Sequence, residues 1–187
     1  MGIIEDASVM SKEDNMAVSQ EVGNILTKQI NKEIYSSYLY LTFADYFDER
    51  GLKGFANWYM IQVQEELAHA RVLRRYLLDN DWKPEMEAIA KPDFKPEDDM
   101  SVLKAAYNHE IFITNSIHEC YAVARDENDF RTMQLLDWFV KEQGEEEANA
   151  SEMVSNMENF GCDPRGLFAL DRENLTRVYN PPTSMPM

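Results

Sequence analysis

The feature that most narrows the fold is a set of polar residues set into apolar helical stripes and repeated once along the chain. The stretch "NKEIY" at residues 31–35 returns as "NHEIF" at residues 108–112, 77 residues later. The same offset carries Glu65 onto Glu142, Glu66 onto Gln143 and His69 onto Glu146. An offset shared by several polar positions marks two related helix pairs, and a chain built of two such pairs folds most simply as one bundle.

The apolar pattern around these residues supports that reading. Val22, Leu26, Ile30, Leu41, Ala44 and Phe47 form a stripe over residues 19–50 that stops at Arg50-Gly51. Phe55, Tyr59, Leu73 and Leu77 mark a second helix over residues 52–79. Pro84, Pro92 and Pro96 forbid a continuous helix between residues 80 and 100, a segment long enough to cross the length of a bundle. Leu103, Ala106, Ile113, Ile117 and Ala124 predict a third helix over 101–126, and Leu136, Phe139, Ala150, Met153 and Met157 a fourth over 129–160. Pro164 opens a short fifth helix with Leu167, Phe168, Leu170 and Leu175. The expected fold is all-α: a four-helix bundle with a long crossover between helices two and three. Residues 1–18 are expected as a flexible arm, 19–178 as the domain and 179–187 as a flexible tail.

The 187 residues carry a formal charge of −16, which disfavours nucleic acid and anionic membranes as partners and favours cations. No apolar run reaches the length of a membrane span. Cys120 and Cys162 form no C-x-x-C pair, and a reducing, cytoplasmic location is expected.

Glu33 and Glu110 fall on the apolar stripes of helices one and three. Glu66 and His69, and then Gln143 and Glu146, do so on helices two and four. Burying carboxylates without partners costs several kcal/mol per ion, or forces them to protonate. A metal shared among them removes that conflict. Glu66 and His69, three residues apart, lie on one helix face. One nitrogen among carboxylate oxygens suits iron or manganese better than structural zinc.

At these residues the chain resembles the non-haem ferritins, particularly the bacterial type. The matching stretches are "NKEIYSSYLY", "QEELAHA", "YNHEIFIT" and "WFVKEQGEEE", spread over residues 19–178. The resemblance implies a ferritin-like bundle and a homo-oligomeric 24-subunit cage. It implies oxidation of Fe(II) by O2 or H2O2 at a di-iron ferroxidase centre within each subunit, with storage of Fe(III) mineral inside. By motif, Glu33, Glu66 and His69 would hold the first iron, and Glu66 with Glu110, Gln143 and Glu146 the second. A third iron site maps onto Glu65, Glu142, Glu145 and Glu146. Tyr40 matches a tyrosine beside the centre, as an electron donor or simply as a core aromatic.

Three departures bear on the expectation. Leu67 and Glu146 stand where bacterioferritins have a haem-ligating methionine and a second E-x-x-H histidine, so no haem is expected. Met133 and Leu136 stand where animal ferritins have channel carboxylates. Gly144 sits within a helix, where it costs about 1 kcal/mol relative to Ala. His109 and His118 are expected at surfaces or subunit contacts. The competing expectation is a di-iron oxidase or peroxidase of rubrerythrin type without storage, although no rubredoxin-like C-x-x-C module is present.

Overall fold

The first helix starts where Ser19 accepts a hydrogen bond from the Val22 amide at 3.3 Å, an N-cap that satisfies one of the free donors of the opening turn. The computed structural model describes residues 18–181. Their elements are α1 (Gln20–Glu49), α2 (Lys53–Asp79), α3 (Asp99–Asp126), α4 (Phe130–Phe160) and α5 (Pro164–Asn174), with no strand among them. The expected all-α bundle with a long crossover is what forms. Most of the expected arm and tail lie outside the described residues. Val18 does not: it is fully buried beside Val22 and Leu26, so the packed domain begins one residue earlier than expected.

α1 packs along α2 and α3 along α4, α1 also meets α3, and α5 lies across α2 and α4. The crossover is pinned along α1 rather than spanning freely. The Trp82 ring lies over Gly23, where a Cβ would come within 2.3 Å of it, so only glycine fits. Trp82 Nε1 donates to Thr27 Oγ1 at 3.2 Å, and Phe94 packs edge-on against Phe43. Asp98 and Ser101 then form a capping box that starts α3.

The fifth helix is fixed by a contact that no local pattern predicts. Leu52 leaves the start of α2 without a side-chain cap, and Asp171 of α5 supplies one. Its Oδ1 accepts from the Gly54 amide at 2.7 Å and the Phe55 amide at 3.1 Å. A carboxylate at a helix N-terminus is doubly favoured, by hydrogen bonds and by the helix dipole.

The apolar interior divides in two. One cluster holds Leu26, Ile30, Leu73, Ile117, Leu136 and Phe139; the other holds Phe43, Phe47, Phe55, Tyr59, Leu103 and Met157. Glu33, Gln62, Glu66, His69, Glu110, Gln143 and Glu146 are buried too, yet belong to neither cluster. Among the described residues, no helix is long and apolar enough to cross a membrane.

Candidate metal centre

Every helix of the bundle sends polar side chains into this interior. Glu33 comes from α1, Glu66 and His69 from α2, Glu110 from α3, and Gln143 and Glu146 from α4. None is more than 5% exposed. Helical spacing explains the α2 pair, because residues three apart share a face.

Glu33, Glu66 and His69 come together, each offering a ligand atom within 4.8 Å of the others. His69 Nδ1 lies 3.6 Å from Glu66 Oε2 and 4.0 Å from Glu33 Oε2, too far for hydrogen bonds. Glu33 Oε2, Glu66 Oε2, His69 Nδ1 and Gln62 Oε1 are accordingly buried without partners. Leaving a buried polar group unpaired costs about 1–3 kcal/mol, more for a charged one. Three such atoms converging from two helices have the donor chemistry of a metal-binding site. Trp138 and Phe139 wall the far side, with their rings edge-on to the imidazole at 5.5 and 5.8 Å.

The α3 and α4 side is finished differently. Tyr40 donates its hydroxyl to Glu110 Oε1, and Gln143 Nε2 donates to Glu110 Oε2 at 3.3 Å. Gln62 reaches from α2 to donate to Glu146 Oε2 at 2.8 Å. Burial, followed by the charge of Glu146, raises the Glu110 carboxyl to about 8. Burial and then Glu65 raise Glu146 to about 7. Burial, with Glu110 and Glu33 next, pushes Glu66 well above the usual range. The Tyr40 hydroxyl is raised by burial and by Glu110, so it stays protonated as a donor. Without a cation this is a site that keeps protons to limit its charge.

Of the three remaining predicted residues, Glu65 and Glu142 sit towards one edge. Glu65 is 18% exposed and paired with Arg177 at 2.7 Å. Glu142 is half-buried, and its charge helps to raise Glu65 after burial has done most. Glu146 faces the same group. Glu145 is not gathered there: it is exposed and pairs with Lys141 at 3.2 Å, because position 145 falls on the outer face of α4.

His109 lies outside the centre and is half-buried, with Nε2 2.8 Å from Ser36 Oγ and its ring edge-on to Tyr40, and burial lowers it to about 4. α1 packs against α3 at this level and covers a face that α3 alone would leave open. His118 is exposed as expected. Leu136 is fully buried in the bundle core, and Gly144 faces open space.

Two glutamines went unread in the sequence. Gln62 lies one turn before Glu66, and Gln29 one turn before Glu33, to whose Oε1 it donates at 2.8 Å. That four-residue spacing was the available signal. Arg177 had none, since its partner is 112 residues away.

A bundle whose four helices direct carboxylates, with a histidine, into one buried layer is a metal-binding carboxylate protein in class. Residues 23–160 match the ferritin-like domain, and the chain belongs to the ferritin family. It is 33% identical over 156 residues to a probable bacterial non-heme ferritin-like protein of Haemophilus influenzae, covering 83% of this chain and 94% of that one. A bacterial non-heme ferritin of Campylobacter jejuni is 33% identical over 155 residues, covering 83% and 93%. An open-pore ferritin from the hyperthermophilic archaeon Archaeoglobus fulgidus superposes with a TM-score of 0.85 at 39% identity, over 87% of this chain and 99% of that one. Membership of this family supports iron storage and, in general terms, iron oxidation.

Proposed function

We propose that the chain is a storage and detoxification ferritin that oxidises Fe(II) at a two-iron centre inside its own bundle. The observation that carries this is the convergence of unpaired buried atoms on Glu33, Glu66 and His69. Fe(II), the substrate, would bind there first. A second Fe(II) would be held by Glu66, Glu110, Glu146 and the Gln143 amide oxygen after carboxyl protons leave. The two Fe(II) would give one electron each, which with two protons reduce O2 to H2O2 or H2O2 to two waters, and the carboxylates would hold the higher charge of Fe(III). Tyr40, in contact with Glu110, would be the donor of any further electron in this reading.

Glu65, Glu142 and Glu146 would offer a third position on the way out, with Glu145 at its solvent margin. The product is mineral inside a homo-oligomeric cage of 24 chains. Cys120 and Cys162 are both free, which fits a reducing cytoplasm. Leu67 offers no ligand to haem iron, and none is part of the reading. Stopped-flow oxidation of added Fe(II) tests the centre. The variant with both Glu66→Ala and His69→Ala is expected to lose the fast phase, and its full retention would exclude these residues.

A further inference from the structure

The segment following α5 is fastened to α2 at successive points. Asp171 caps the first turn of α2. Asn57 Nδ2 donates to the carbonyls of Asn174 at 3.1 Å and Arg177 at 3.0 Å, and Arg177 Nη1 donates to the Trp58 carbonyl at 3.3 Å. These contacts set the Arg177 guanidinium over the Trp58 ring, 4.0 Å from its centroid, with Nη2 2.7 Å from Glu65 Oε2. Stacking on an aromatic face and pairing with a carboxylate is an arrangement that arginine holds better than lysine. Each side chain of the pair is only 18% exposed, so solvent screens it weakly.

Glu65 adjoins the ligand Glu66 and shares its edge of the centre with Glu142 and Glu146. A cation approaching these carboxylates meets a position whose positive charge is already supplied by the chain itself. Arginine does not lose its proton in proteins, so this occupant leaves by moving and not by titrating. It has somewhere to go. A cavity of about 230 Å³ beside it is lined by Trp58, Asn149, Glu152, Glu173 and Arg177, and offers two other carboxylates. Trp58, Asn149 and Met153 also line a narrow gap reaching Tyr40, Glu110 and Glu146.

We propose that Arg177 is a resident cation that holds the third metal position at Glu65, Glu142 and Glu146 closed, and yields it by swinging into the adjoining cavity. Arg177 is in this sense a positioning residue: it decides how many metal ions the chain holds tightly, without touching the two-iron site. The inference rests on the two-iron reading of Glu33, Glu66, His69 and Glu110.

Calorimetric titration of the metal-free assembled protein with Zn(II), which binds without redox turnover, tests it. The unaltered chain is expected to bind two ions tightly, Arg177→Gln three, and Arg177→Gln with Glu65→Gln two again. Arg177→Lys keeps the charge but not the fork, and its third ion is expected about tenfold tighter than in the unaltered chain. That variant carries the test if Arg177→Gln fails to assemble. Unchanged stoichiometry and affinities in Arg177→Gln and Arg177→Lys would overturn the proposal, as would a third ion bound equally tightly with Arg177 in place. Fewer than two tight ions in the unaltered chain would instead remove the two-iron reading, and this inference with it.

Discussion

The two halves of the centre share one register of polar residues and are completed in opposite ways. On α1 and α2, Glu33, Glu66 and His69 each keep a buried atom without a partner. On α3 and α4, Glu110 is held by Tyr40 and Gln143, and Glu146 by Gln62. Glu66 is raised by burial as Glu110 and Glu146 are, so the halves differ in their contacts: the first keeps unpaired ligand atoms, whereas the second is closed by hydrogen bonds. Where the repeat substitutes Gln143 for Glu66 and Glu146 for His69, it replaces an acceptor with a donor and a ring nitrogen with a titrating carboxyl. On the proposed two-iron reading the expectation is ordered loading: the first ion meets three converging ligand atoms and displaces only the Glu66 proton, whereas the second requires Glu110 and Glu146 to lose theirs and the contacts from Tyr40, Gln143 and Gln62 to open.

The largest expected effect breaks the first half. Glu66→Ala with His69→Ala removes two of the three converging ligands, and the fast phase of Fe(II) oxidation is expected to fall by about 100-fold or more. A fall of less than about threefold in stopped-flow absorbance would place the chemistry elsewhere.

Breaking the second half is expected to be milder and selective. Glu110→Gln keeps the shape and the contact with Tyr40 but offers no negative charge. The second Zn(II) should bind about 10- to 100-fold more weakly in calorimetry, with the first little changed. Equal weakening of both ions would show that the halves do not load separately.

The pH dependence of the metal-free protein sharpens the contrast. Glu110 and Glu146 rise from the ordinary 4.5 to about 8 and about 7, burial being the main cause. A folded value above the unfolded one means that the folded chain binds more protons between the two. The contribution to stability is fully present below pH 4.5 and is lost as pH rises to about 8. Glu146→Gln removes one of the carboxyls responsible, so thermal unfolding of the metal-free variant should rise by on the order of 5 °C at pH 8. Near pH 4.5 the gain should almost vanish. An equal gain at both values would contradict a proton-retaining second half.

Gly144 gives the smallest effect. It directly follows Gln143 in α4, and an added Cβ meets nothing within 4 Å. Gly144→Ala should stabilise the helix by about 1 kcal/mol and raise the melting temperature by about 2–4 °C, with Fe(II) oxidation unchanged. Slower oxidation without that gain would mean that looseness at this turn serves the centre.

How much of this was legible in the sequence follows from the range of each interaction. The five helices were, because apolar spacing and prolines are local signals, and the ends of the first four moved by no more than two residues. The inward polar residues were legible as interruptions of a stripe. Asp171, Trp82 and Arg177 were not, since each acts on a helix far away in sequence: Asp171 caps α2, Trp82 seals Gly23, and Arg177 holds Glu65. The contact of His109 with Ser36 was not legible for the same reason, because it depends on the packing of α1 on α3. Glu145 entered the acidic group through the family resemblance, and the helix turns it towards Lys141 and solvent. The difference between the halves depended on Gln62 and Tyr40, which reach across helices to partners 84 and 70 residues away.

The most direct test of the split centre is a crystal of the metal-free protein given one Fe(II) per chain without oxygen, with anomalous scattering used to place the iron. Ordered loading predicts a single peak bounded by Glu33, Glu66 and His69, with Glu110 still hydrogen-bonded to Tyr40 and Gln143. A first peak at Glu110 and Glu146, or equal peaks in both halves, would contradict it.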